Sequence, residues 1–94
     1  MISFKDGVLA LSGPLTMETV PTLFPAGTAH LANGDLLVDL SGVKLVDSAA
    51  VSLLLGWLRV AQRQQRQLRL TGMPEDLLSL ARLYGVDRLL PPSI

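Results

Sequence analysis

Apolar residues recur along this chain with two periods, and the switches between them mark out its elements. "ISFKDGVLALSG" reads as a hairpin, with a short strand, a turn at Asp6-Gly7 and a second strand over Val8 to Leu11. Val8-Leu9-Ala10-Leu11 lacks polar alternation, which predicts a strand covered on both faces. Val20, Leu23, Phe24, Gly27 and Leu31 follow at helical spacing, with Thr16 or Thr19 as the cap. Pro21 suits the opening turn of that helix if Thr19 is the cap, whereas Pro25 is expected to kink or split it. Asn33-Gly34 ends it, and "DLLVDLS" then has the near-continuous apolar character of a central strand in a parallel sheet.

A long helix is predicted from Ser48 to about Gln64, after the connecting loop "SGVKLV". "QLRLTG" alternates cleanly as a strand, and Pro74-Glu75-Asp76 opens a last helix with proline and acids in its first turn. Leu77, Leu80, Ala81 and Tyr84 mark the expected buried stripe, Gly85 stops the helix, and "DRLLPPSI" is a short strand or extended tail. The order is β-β-α-β-α-β-α, with a small final strand as an option. Strands alternating with helices imply right-handed crossovers and parallel pairing. The expected fold is therefore α/β: a mixed, mostly parallel sheet of four or five strands with about three helices. With 94 residues and no linker, repeat or low-complexity tract, residues 1–94 are expected to form a single domain.

The long helix carries more apolar surface than one sheet can cover. At about 100° per residue, Ser48, Ser52, Gly56, Arg59 and Arg63 fall in one narrow polar sector. The apolar residues fill an arc of about 200°, against about 100° for a helix buried on one side. If Val51, Leu54, Leu55 and Leu58 face the sheet, then Leu53, Trp57 and Val60 point elsewhere. They pack either on neighbouring helices or under a permanent partner. Trp57 is the sole tryptophan, a residue type enriched among those that dominate interfaces, and it is assigned to the partner face.

Composition narrows the function further. Eight basic residues balance eight acidic ones, which argues against a general nucleic-acid or membrane-surface binder. The charges are unevenly placed: no acid occurs between Asp47 and Glu75, where Arg59, Arg63, Arg66 and Arg69 all fall. These arginines suit either a solvated helix end or a patch facing an acidic partner. With no cysteine, disulfides and thiolate metal sites are excluded. "MISFKDGVLALSG" lacks a signal-peptide layout, and no apolar run approaches the roughly 18–20 residues of a membrane span. A cytoplasmic location without direct membrane insertion is expected.

Candidate catalytic groups are sparse. His30, the only histidine, sits near a helix end with no nucleophile motif and reads as solvated or partly packed. Neither a phosphate-cradling loop nor a dinucleotide glycine pattern is present, so no cofactor is expected. Asp39 and Asp47 lie at opposite ends of a strand–loop segment, and Asp39 is expected to pair with a neighbouring backbone or basic group. Asp47-Ser48 stands out because it opens a helix whose free N–H groups point back at the loop. Either side chain could cap those donors. Ser48 could also be a contact for another protein, or a phosphorylation site favoured by the helix dipole, with Ala49 and Ala50 leaving the backbone unshielded.

"VDLSGVKLVDSAAVSLLLG" resembles the signature of STAS domains, the family of sulfate-transporter tails and anti-sigma-factor antagonists. There a strand and loop lead to Asp-Ser/Thr-x-Gly at the start of a helix. Asp47 and Ser48 match that motif, while Ala50 replaces the glycine. The ending "LTGMPEDLLSLARLYGVDRLLP" is similar to small STAS subunits of phospholipid ABC transporters that maintain outer-membrane lipid asymmetry. The resemblance implies a binding module rather than an enzyme, one that docks on the cytoplasmic ATPase and through it meets the permease. Carried onto this sequence, it places the partner contact at Ser48, Ala49, Ala50, Ser52, Leu53 and Trp57. The rival implied by the same family is a signalling domain switched by phosphorylation of Ser48, on which the larger Ala50 would restrict a kinase.

Overall fold

The computed structural model describes residues 2–90, which build a four-stranded sheet and three α-helices. In chain order these are β1 (Ile2–Lys5), β2 (Val8–Leu15), α1 (Val20–Leu31), β3 (Leu36–Val46), α2 (Ser48–Gln64), β4 (Leu68–Thr71) and α3 (Glu75–Leu83). The strands lie in the order β1-β2-β3-β4. β1 and β2 form the expected antiparallel hairpin, and the turn follows from its residues. Asp6 and Gly7 both have positive φ, 54° and 80°, the conformation that an Asp-Gly pair reaches at low cost. The β2–β3 and β3–β4 pairs are parallel, with α1 and α2 as their crossovers.

Burial alternates along every long strand. Leu9 and Leu11 of β2, Leu36, Val38 and Leu40 of β3, and Leu68 and Leu70 of β4 are buried, while the residues between them are not. All three helices therefore share one face of the sheet, with α2 between α1 and α3. The opposite face is open. Its rows run Lys5–Val8–Leu37–Arg69 and Ser3–Ala10–Asp39–Thr71 across the strands. The expectation of cover on both faces of β2 is thus wrong. The apolar character of Val8 and Ala10 reflects half-exposed aliphatic residues, not a second layer.

β2 and β3 are both longer than their apolar runs suggest, because what reads as the loop "SGVKLV" continues the strand. Two register slips make this possible, between Ala10 and Ser12 and between Gly13 and Pro14. At each, β3 carries an extra residue, as in a β-bulge. A Cβ on Gly42 would lie 2.9 Å from the Leu11 carbonyl oxygen, so glycine allows the strands their close approach there. Pairing then extends to Leu15 and Val46, which brings the start of α1 beside the start of α2.

Thr19 precedes α1 but does not cap it. Its hydroxyl accepts from the Thr16 amide at 3.0 Å and bonds the carbonyl side of the preceding turn. Pro25 does not split the helix, contrary to the expectation from its missing N–H. Both halves of α1 are held against α2. The Trp57 indole Nε1 donates to the Phe24 carbonyl oxygen at 3.0 Å, and its ring lies where any side chain on Gly27 would be. At the other end of α2, Gln65 turns into the left-handed region at φ 56°, and the Arg66 amide closes on the Ala61 carbonyl at 2.8 Å.

In α3, Leu77 and Ala81 are buried as expected and Leu80 is half-buried, but Tyr84 is 52% exposed. It falls one residue beyond the helix, where Gly85 at φ 72° ends the helical path and Val86, not Tyr84, packs against the core. The chain then makes a short 3-10 turn over Asp87–Leu89, where a short strand or extended tail was the expectation, and residues 91–94 of that stretch lie outside the described residues. No helix among the described residues is long and apolar enough to cross a membrane.

Candidate partner-docking face

Asp47 decides the local geometry of the predicted motif. Its Oδ1 accepts from the Ala49 amide at 2.8 Å, which caps α2, and its Oδ2 accepts from the Met17 amide at 3.0 Å. One carboxylate therefore holds the β2–α1 connection to the start of α2. Its negative charge also sits at the positive end of the helix dipole. The cap belongs to Asp47, which leaves the Ser48 hydroxyl without that duty. Ser48 is exposed in the first turn, and Ser52 is exposed one turn further along the same side.

The six residues assigned to partner contact divide into two groups. Ser48, Ser52 and the half-buried Ala49 reach the surface together, whereas Ala50, Leu53 and Trp57 belong to the core. Trp57 is wholly inaccessible, at 0% exposure. The assignment of Leu53 and Trp57 to a docking face is therefore corrected. Leu53 is buried in the core, and α1 covers Trp57, because glycine at position 27 lets the two helices approach around the indole. Ala50 turns inward as well, so its methyl group neither exposes backbone nor narrows access to Ser48.

The rim of the Asp47–Ser48 corner carries apolar side chains that the sequence pattern did not single out. Met17 is 71% exposed and is bonded through its amide to Asp47. Leu45, two residues before Asp47, is 62% exposed, and Leu83 at the end of α3 is 76% exposed. Leu83 joins Val46, Asp76, Ser79 and Leu80 in lining an open groove between α3 and the end of β3. Of these, only Leu83 lies in a periodic segment, as the last residue of α3 and off its buried stripe of Leu77 and Ala81. Met17 and Leu45 lie in segments whose exposure depends on the strand register.

The remaining titratable candidates lie elsewhere. Asp39 accepts from the Ser41 amide at 2.9 Å, as a backbone pairing predicts, and that bond with the Ser41 side chain lowers its pKa below the usual value. Burial opposes this and is the weaker effect. His30 stacks on Phe4 with ring centroids 3.9 Å apart, tying the edge strand β1 to the end of α1.

Residues 2–91 match the family described as "Mlab, STAS domain". The chain belongs to the MlaB STAS-domain family. It is 32% identical over 78 residues to the Escherichia coli K12 intermembrane phospholipid transport system binding protein MlaB, covering 83% of this chain and 79% of that protein. The fold is shared with anti-sigma factor antagonists of known structure. One from Mycobacterium paratuberculosis superimposes with a TM-score of 0.78 at 24% identity, covering 99% of this chain and 82% of that one. A STAS-domain antagonist from Planctomyces limnophilus gives 0.71 at 22% identity, covering 99% and 87%. In this MlaB-family chain the shared architecture comes with an accessible serine at the head of α2 and with exposed Met17 bonded through its amide to the neighbouring Asp47.

Proposed function

We propose that this chain is a non-enzymatic cytoplasmic subunit that docks on the ATPase of an Mla-type phospholipid ABC transporter, an MlaF-like protein. Through that ATPase it meets the permease and sits at the membrane, supporting transport that maintains outer-membrane lipid asymmetry. The docking surface is the corner formed by Ser48 and Ser52, flanked by Met17, Leu45 and Leu83. The observation that carries this reading is an exposed Ser48 at the head of α2 with three large exposed apolar side chains, Met17, Leu45 and Leu83, on the segments that meet Asp47 and Val46. Exposed apolar groups grouped at one site, with polar groups among them, are the usual anatomy of a protein interface. Similarity to the E. coli intermembrane phospholipid transport system protein supports the choice of transporter.

The test is co-purification and titration with an MlaF-like ATPase from the same organism. Wild type is expected to bind it, Ser48→Ala to weaken binding modestly, and Ser48→Glu to weaken it strongly by burying an unpaired charge. Equal affinity for all three would remove Ser48 from the interface. A second reading is favoured by the same accessible hydroxyl: an anti-sigma-factor-antagonist-type switch, phosphorylated at Ser48. Stoichiometric phosphate incorporation by a serine kinase from the same organism, with no ATPase bound, would select that reading.

A further inference from the structure

We infer that the arginine stripe of α2, Arg59 and Arg63 continued by Arg66, is a second arm of the docking surface that receives a carboxylate-rich segment of the partner ATPase. This rests on the docking reading above and specifies the chemistry of the partner. Arg59, Arg63 and Arg66 are all exposed. Arg59 and Arg63 lie one turn apart, in the sector that holds Ser48 and Ser52. Arg69 is excluded from the stripe, because it faces the open side of the sheet opposite Leu37.

The helix dipole does not account for these charges. Its influence fades beyond the last turn, which contains Arg63 but not Arg59. Internal pairing does not account for them either: among the described residues neither Arg59 nor Arg63 makes an ion pair or hydrogen bond through its side chain. Arg66 spends one donor on the Ala32 carbonyl oxygen at 3.3 Å, leaving the rest of its guanidinium available. Charge is thus divided along the exposed surface. Asp47, Glu75 and Asp76 stand at the helix starts, while arginines occupy the far end of α2.

Reach and residue type both point to a protein partner. Ser48 and Arg59 are separated by about 16 Å along the helix axis. A standard interface takes about 800 Å² per partner, roughly 30 Å across, and covers both. All the basic residues of the stripe are arginines, whose planar fork matches carboxylates in bidentate fashion. Recognition of an anionic lipid surface typically needs clusters of about 4–8 basic residues, and this stripe has fewer, with no aromatic side chain to insert.

The test compares wild type, Arg59→Glu/Arg63→Glu, Arg59→Ala/Arg63→Ala and Ser48→Glu in titrations against an MlaF-like ATPase from the same organism at low and high NaCl. Wild-type affinity is expected to fall with salt. The charge-reversed pair should bind about thirtyfold more weakly at low salt and lose most of its salt dependence, with the alanine pair intermediate. Thermal unfolding of the arginine variants should match wild type, because the side chains are exposed. Wild-type affinity and salt slope in the charge-reversed pair, with Ser48→Glu still impaired, would overturn the second arm and leave the docking reading standing. Absence of wild-type binding would overturn both. Arginine-dependent binding to phosphatidylglycerol vesicles, with ATPase binding unaffected by the substitutions, would reassign the stripe to a membrane and also overturn this inference.

Discussion

The Trp57 indole occupies the space that a side chain at position 27 would need, so the contact of α1 with α2 depends on glycine there. The same ring sends its N–H to the Phe24 carbonyl oxygen, and the Phe24 ring in turn packs against Gly56. The two helices interlock through this exchange of an aromatic ring for a glycine in each direction. In a domain this small, such a contact is a large part of a stability of only about 5–15 kcal/mol.

Trp57→Ala is expected to cost about 3–5 kcal/mol and leave little or no cooperative unfolding. Trp57→Phe, which retains an aromatic ring but loses the Phe24 hydrogen bond, should cost about 1–2 kcal/mol and remain folded. Urea unfolding followed by circular dichroism distinguishes these outcomes. A well-folded alanine variant with near-wild-type stability would show that the indole is not a core element.

Gly27→Ala should destabilise by about 1–3 kcal/mol, since the added methyl group meets a fully buried ring. Gly56→Ala should cost less, because its nearest obstacle is the half-exposed Phe24 ring, which has room to move. Melting temperatures of the two variants, measured side by side, check the order. The reverse order would count against the packing described for α1 and α2.

Asp47→Ala removes both the helix cap and the Met17 contact and is expected to cost about 2 kcal/mol. Asp47→Asn should lose about half as much. Its one carbonyl oxygen can cap Ala49, but its amide then presents a donor to the Met17 N–H. Ser48→Ala, by contrast, should stay within about 0.5 kcal/mol of wild type, because the cap lies at the preceding residue. Denaturant midpoints for the three variants are the measurement, and a large loss in Ser48→Ala would return the capping role to serine.

Asp39 gives a pH dependence with a definite sign. Its folded-state pKa is lowered from the ordinary value of 3.8, chiefly by the Ser41 amide. Its contribution is therefore complete above that ordinary value and is lost as pH falls through the lower folded-state value. Asp39→Asn should show less loss of stability than wild type between pH 4 and pH 2, with no added sensitivity near neutrality. Parallel urea titrations at pH 7, 4 and 3 measure the difference, and identical acid sensitivity would remove Asp39 from the acid response.

Local rules determined much of this protein from sequence. The Asp6-Gly7 turn, the start of α2 at Asp47-Ser48, the stop at Gly85 and the alternation in β4 each depend on neighbouring residues, so each could be read directly. The length of β3 could not. Its continuation past Ser41 requires β2 alongside, two bulges and a glycine against the Leu11 carbonyl, all of which are non-local. The same limit applied to Trp57. Periodicity showed that α2 is apolar over more than one face, but a helical pattern is identical whether a partner or α1 covers it. Only the approach of Gly27, 30 positions earlier in the numbering, decided that the ring is core. With Leu53 and Trp57 in the core, the exposed apolar surface shifted to Met17, Leu45 and Leu83. These residues come from three separate segments, tied to the end of β3 by the Met17–Asp47 bond and by the groove that Leu83 shares with Val46.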